Sequence, residues 1–291
     1  MAKRWPLTGW PTTGRPPNRP VYVVKVDNTS SAAPQLGLDS ADLVVQELVE
    51  GGLTRLAAFY YSKLPDVVGP VRSMRASDIG ITQPAHAFIV ASGAAPITMK
   101  LLNDAGVNRI TEGARGFFRS NVRSAPYDLM MRLPALAKHV GRPWTPPSRP
   151  YLPYGGANSF HGSVPVTSIT ATFSGAHTDF WRLQGDSWVR TNSYALAGHD
   201  FQVANVLILR VRVGDAGYVD PGGNPVPETF FYGSGDMTLI HGNRAVRGTW
   251  HKTGTRGSVT LTADGKPVTV PPGHTFVELI PAQGGNVILG R

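Results

Sequence analysis

Cysteine is absent from all 291 residues. Its absence excludes disulfides, a thiolate nucleophile, thiolate-bound zinc and lipidation of an N-terminal cysteine in the sequence as it stands. Export is not excluded, since an exported chain need not be disulfide-bonded. Long apolar runs are also missing, and none approaches the ~18 residues that a membrane helix needs. The N-terminus, MAKRWPLTGWPTTGRPPNRP, is basic but lacks the apolar stretch of a signal peptide. Two origins fit it: a cytoplasmic chain, or one whose leader was replaced by a short start ahead of a Pro-rich, flexible spacer at residues 1–20. Metal-binding patterns are lacking as well. The eight histidines never fall within five residues of one another, so neither a protein-built metal site nor a cofactor is expected.

What is present in quantity is turn-forming residues and positive charge. The 33 glycines and 25 prolines punctuate short apolar runs, which predicts many turns rather than disorder. The net charge of +9 is uneven. Residues 1–150 carry 18 Lys and Arg against 10 Asp and Glu, a net +8, whereas residues 151–291 carry 10 against 9, a net +1. The excess suits an anionic partner for the first half, or simply a basic soluble surface. No helix-turn-helix, zinc module or aromatic-basic RNA motif accompanies it, so specific nucleic-acid binding is not expected.

The first half alternates strand and helix patterns. VYVVKVDN (21–28) is a β-branched run ending in a turn pair and predicts a strand. DSADLVVQELVEGG (39–52) has a cap at Asp39 or Ser40, apolar Leu43, Val44 and Leu48 at helical spacing, and Gly51 to stop it, which together predict a helix. LTRLAAFYYS and HAFIVASG predict strands, a short helix is expected from Ser77, and PITMKLLNDAG predicts a helix ended by Gly106. VNRI predicts a further strand, and PYDLMMRLPALAKHVG a helix interrupted at Pro134. GRPWTPPSRPYLPYGG, with five prolines and three glycines, then breaks the pattern as a linker would. Beyond it, short alternating strands follow one another almost to the end. The expected fold is α+β: layered mixed sheets, with helices mainly from an N-terminal α/β region (21–140), a Pro/Gly-rich linker (141–157) and a β-rich region (158–291). The two regions either fold separately or share one core.

The candidate site residues cluster around VEGGLTR (49–55) and VGPVRSMR (68–75). A guanidinium is always charged and presents a planar fork of donors that suits phosphate, carboxylate or sulfate. Arg55, Arg72 and Arg75, with the Ser73 hydroxyl, are therefore the candidates for an anion site, and Arg119 and Arg123 for secondary members. The competing reading is an ionic lock in which these arginines pair with Glu47, Glu50 or Asp78. Asp27, at a strand end, is either a site residue or a turn former. Glu47 and Glu50 are candidate acid and base for glycan or phosphoester chemistry, or partners of the arginines. His161 beside Ser163 has no helical or triad spacing to recommend it as a base-nucleophile pair. GSGD (233–236) lies between strands and reads as a turn rather than a phosphate loop. Trp181, Trp188 and Trp250, with Phe180, Phe230, Phe231 and Tyr232, form either an aromatic binding platform or sandwich core.

These fragments together resemble a known group. VDN (26–28), GLDSADLVVQELVEGGLTR (37–55), VGPVRSMR (68–75) and RSAPYDLM (123–130) are similar to the N-terminal region of the YerB-like family of bacterial lipoproteins. NVLILR (205–210), VRGTWHK (246–252) and DGKPVTVPPGHTFVELIP (264–281) are similar to its C-terminal region. The resemblance implies a secreted or membrane-anchored protein of the Gram-positive envelope with a layered α+β fold and no established activity. Thr29, and Tyr127 with Asp128, stand where that pattern leads us to expect histidines, which weakens a proton-transfer role. The expectation is thus an extracytoplasmic envelope protein that holds an anionic wall polymer or metabolite. A metal-independent hydrolase or transferase and an envelope protein-interaction module are the alternatives.

Overall fold

The computed structural model describes residues 4–12, 14, 16–139, 147–156, 160 and 163–291. In the first half, β1 (Tyr22–Asp27), β2 (Leu43–Leu48), β3 (Thr54–Tyr60), β4 (Phe88–Ala91) and β5 (Arg109–Thr111) are followed by a small hairpin, β6 (Phe117–Arg119) with β7 (Leu129–Met131). Three helices accompany them: α1 (Asp78–Thr82), α2 (Pro96–Asp104) and α3 (Leu133–Ala137). The second half supplies β8 (Val164–Pro165), β9 (Ser168–Ser174), β10 (His177–Gln184), β11 (Ser187–Arg190), β12 (Asn205–Val219), β13 (Pro225–Phe230), β14 (Gly233–His241), β15 (Arg244–Lys252), β16 (Val259–Ala263), β17 (Lys266–Val268), β18 (Thr275–Pro281) and β19 (Asn286–Gly290).

One large sheet joins the halves, in the order β17-β16-β15-β14-β12-β18-β2-β3-β1-β4-β5. The join is the parallel pairing of β18 with β2, from Thr275 opposite Leu43 to Glu278 opposite Gln46. The two sequence regions therefore share a core instead of meeting only at a linker. A smaller sheet, β11-β10-β9-β19, packs on one face, where Ile169, Phe173, Trp181 and Trp188 meet Val44, Leu56, Ile208 and Phe276. Trp181 and Phe276 stack edge to face at 4.9 Å, worth about 1 kcal/mol beyond simple burial. On the other face, Val23, Val45, Phe59, Leu207 and Trp250 form a second core with Ile81 of α1. The expected α+β layering with helices in the first half is what is observed.

Some expectations fail for identifiable reasons. Residues 39–52 do not form a helix: Leu43–Leu48 is strand β2, flanked by single 3-10 turns at Leu38–Ser40 and Glu50–Gly52. The strand lies between β18 and β3, and its residues 43–47 are all buried. A strand covered on both faces loses the alternation that marks strands, and its continuous apolar run mimics a helix. Similarly, the helix expected from residue 126 is split into β7 and α3, with Pro134 in the first turn of α3, where proline is tolerated.

The segment expected as a flexible spacer is packed along residues 4–12. Leu7 is buried in the second core, Trp5 meets Tyr61 edge to face at 5.9 Å, and Thr8 O accepts from Gly273 N at 2.8 Å. Residues 141–146 and 157 of the expected linker, and His161, lie outside the described residues. The described part of that linker is held down, with Tyr151 Oη donating to Ile81 O at 2.9 Å and Gly155 N to Val270 O at 2.9 Å.

Candidate functional site

β1 and β4 pair in parallel only from Tyr22–Val24 to Phe88–Val90. Beyond that they part, and residues 72–74 enter the gap. Arg72 N donates to Lys25 O at 2.8 Å, Ser92 N to Arg72 O at 3.0 Å and Met74 N to Gly93 O at 2.8 Å. VGPVRSMR thus sits at the carboxyl ends of two parallel strands, the position where α/β sheets open crevices. Antiparallel pairing sets Arg55 of β3 opposite Asp27 of β1 on one side and Glu47 of β2 on the other. Glu50 is brought back by a tight turn. Gly51 and Gly52 hold φ of 68° and 72°, values that disfavour side chains, and a Cβ on Gly52 would meet Ser174 Oγ at 2.8 Å.

The charges brought together form two layers. The inner layer is fully buried: Lys25 Nζ lies between Glu47 Oε1 and Asp78 Oδ1, the latter at 2.8 Å. Burial raises the Glu47 carboxyl despite Lys25 beside it. The outer layer holds Arg55, Arg72 and Arg75 with Glu50 and Asp27. Glu50 Oε1 accepts from Arg55 Nη2 at 3.1 Å and from Arg75 Nη2, while its Oε2 accepts from Arg75 Nε at 2.9 Å. Burial opposes the Glu50 charge, but the bonds and charges of Arg75 and Arg55 outweigh it and lower the carboxyl to about 2. Asp27 Oδ2 faces Arg72 Nε at 3.2 Å, while its Oδ1 accepts from Thr29 N at 2.9 Å.

One cation against two acids inside, and three cations against two acids outside, leave the cluster balanced as a whole but polarised, with the positive excess nearer solvent. Arg55 registers this. Burial first, then the charges of Arg75 and Arg72, lower its guanidinium to about 10, and its buried Nε has no hydrogen-bond partner. Arg72 is the most exposed of the three, with its side chain 21% accessible. Its Nη1 donates to Pro126 O at 3.0 Å and its guanidinium lies 5.4 Å from the Tyr127 ring centre. Ser73 Oγ contacts Ser92 Oγ at 3.1 Å. The β12–β13 arm closes one side, where Tyr218 Oη meets Thr98 Oγ1 at 2.9 Å and Thr229 N donates to Ser77 Oγ at 2.9 Å.

Arg119 and Arg123 are not part of this cluster. Arg119 is exposed and pairs with Glu112 at 2.7 Å and Asp128 at 2.6 Å. Arg123 Nη1 donates to Ala32 O at 3.1 Å, and its Nη2 to Pro34 O. Glu47 and Glu50, read from the sequence as three apart on a helix, lie on a strand and in a turn. Glu47 is sealed against Lys25, and Glu50 faces Arg55 and Arg75, so each is the partner of a cation. Trp181, Trp188, Trp250 and Phe231 are core, whereas Phe180 and Tyr232 are exposed.

A second polar network escaped the sequence reading. Between the sheets, His177 Nε2 lies 3.2 Å from Asp179 Oδ1 and 2.9 Å from Gln46 Nε2. Arg190 reaches Asp179 at 3.4 Å, Gln46 Oε1 at 3.2 Å and Asn28 Oδ1 at 3.3 Å. Glu278 Oε1 accepts from Trp181 Nε1. Burial, then the Asp179 charge, hold the Glu278 carboxyl well above the usual range, which favours its neutral form. Burial opposes the charge of Asp179, but Arg190 and then His177 hold its carboxyl below that range. The available signal was HTDFW: its alternation puts His177, Asp179 and Trp181 on one face of a strand.

Comparison with known proteins places this geometry in a family. Residues 7–143 match the N-terminal domain, and residues 169–277 the C-terminal domain, of a protein of unknown function described as DUF3048. The chain belongs to the DUF3048 family. The chain is 24% identical over 292 residues to "Putative lipoprotein YerB" of Bacillus subtilis (strain 168), covering 95% of this chain and 86% of that protein. The crystal structure of YerB from Bacillus subtilis superposes with a TM-score of 0.80 at 21% identity, covering 98% of this chain and 99% of the other. The DUF3048 fold is therefore shared along nearly the whole length, and the YerB-like resemblance read from the sequence holds. Among the described residues no helix is long and apolar enough to cross a membrane.

Proposed function

We propose that the outer arginine layer binds an anionic group, a phosphate, carboxylate or sulfate of a cell-envelope polymer or metabolite, in an extracytoplasmic protein. The observation that carries this reading is the polarity of the cluster: Arg55, Arg72 and Arg75 outnumber Glu50 and Asp27 on its outer side. An anion at the rim between Arg72 and Ser73 would meet an under-compensated positive field and fork-shaped donors that suit it. The extracytoplasmic location is supported by the name of the Bacillus relative, "Putative lipoprotein YerB". For the hydrolase alternative Glu50 is not the acid, since a carboxyl lowered to about 2 holds no proton near neutrality, and Glu47, whose carboxyl burial raises, is enclosed with Lys25.

The test is a thermal-shift screen of wild type and Arg72→Ala against sulfate, citrate, glycerol phosphate polymers and peptidoglycan fragments. A ligand at 100 times its dissociation constant adds about 2.7 kcal/mol, or roughly 4 °C for a chain of this length. Arg72→Ala is expected to fold, because Asp27 keeps its bonds to Thr29, and to lose the shift. No shift of wild type with any of these ligands, or the same shift in both proteins, would overturn the assignment.

A further inference from the structure

The large sheet is wider than the small one, and β19 is where the small sheet stops. Among the described residues β19 pairs only with β9, so its other edge presents unpaired backbone donors and acceptors. Its sequence, NVILG, is uncharged and apolar after Asn286, with Ile288 57% exposed. Natural edge strands are ordinarily blunted by charge, proline or a bulge, and this one carries neither charge nor proline. Beside it, β14 and β15 leave part of their face uncovered. Two hollows of about 450 and 430 Å³ lie there, both lined by Arg247. Val287 walls one and Leu289 the other.

The lining also fixes a charge preference. Arg210, Arg247 and Arg291 face Asp236 and Asp264, an excess of one positive charge. Arg210 is anchored, its Nη2 donating to Ala282 O and Gly285 O at 2.9 Å each. Arg247 is exposed and makes no ion pair with a described residue. We propose that this groove takes an extended peptide segment of a protein partner, which adds to β19 as a fifth strand of the small sheet. Side chains of an added strand alternate between floor and solvent. Those over the floor would meet Arg247 and Arg210, so the partner is acidic at alternate positions. This surface is separate from the arginine layer and does not depend on it.

The probe is a labelled peptide of about ten residues alternating Glu and Val, with a Lys–Val peptide as control. Fluorescence anisotropy and amide exchange are followed on wild type, Arg72→Ala and Arg247→Glu. The Glu–Val peptide is expected to bind wild type and Arg72→Ala alike, to slow exchange in residues 286–290, and to weaken with salt. Arg247→Glu, a surface change that leaves the core intact, should lose roughly tenfold in affinity and gain for Lys–Val. Absence of Glu–Val binding, equal binding of both peptides to wild type, or binding that leaves exchange of 286–290 unchanged would overturn the proposal.

Discussion

Replacing Glu50 by Gln removes the charge that separates two buried guanidiniums without changing the shape of the turn. The side chains of Glu50, Arg55 and Arg75 are 11%, 7% and 8% accessible. The glutamine carbonyl retains one acceptor, but Arg55 and Arg75 then face each other with no carboxylate between them. Removing one partner of a buried ionic cluster costs about 3–5 kcal/mol, and the small residual exposure points to the lower end. Unfolding entropy of ~2.1 cal/mol/K per residue gives about 0.6 kcal/mol/K for this chain, so ~3 kcal/mol lowers Tm by about 5 °C.

A pH series supplies a second signature. Glu50 titrates at about 2 in the folded protein instead of near 4.5. The stabilisation is therefore complete above pH 4.5 and is lost as pH falls through 2. Discounted for its partial exposure to solvent, it amounts to about 2 kcal/mol. The gap between wild type and Glu50→Gln, followed by denaturant unfolding at a series of pH values, should narrow over that window. Sulfate should restore part of the stability of the variant by standing in for the missing carboxylate. A gap under about 1 kcal/mol at pH 7 would refute the two-layer account. So would a gap that is constant down to pH 2.

Other perturbations separate members of the buried networks. Glu278→Gln should be more stable than wild type by a margin that grows as pH rises above about 4.5, because burial favours the neutral carboxyl in the fold while the unfolded chain ionises it freely, and glutamine still accepts from Trp181; Asp179→Asn, by contrast, strips Arg190 of its counter-charge and should cost about 3–5 kcal/mol in chemical denaturation. Lys252→Met should cost at least ~3 kcal/mol, since the buried Nζ, whose charge burial disfavours, shares its N–H groups among the carbonyls of Gly80, Phe231, Gly254 and Thr255 at 3.2, 2.9, 3.1 and 2.8 Å. A near-neutral Lys252→Met by thermal unfolding would mean that those carbonyls find other donors.

Much of the chain was legible without coordinates, because local rules coincide with the final structure there. The VYVVKVDN and LTRLAAFYYS strands, the Pro96–Asp104 helix with its glycine stop, and the run of β segments after residue 163 all follow period and turn chemistry. The three arginines were legible as a group from spacing alone. Hidden from that reading was anything set by the sheet. Whether DLVVQEL is helix or strand is decided by pairing with β18, some 230 residues later, which sets β2 inside the sheet with a core on each face. The same pairing closes the two halves into one core and aligns Gln46 with Glu278. Which acid meets which base is likewise a matter of register. Arg55 lies opposite Asp27 and Glu47 on its neighbouring strands, yet its partner is Glu50, because a two-glycine turn returns that carboxylate to it. Sequence specified the donors and acceptors, but pairing over long range determined their partners, since charge complementarity is satisfied by whichever groups the backbone brings within reach.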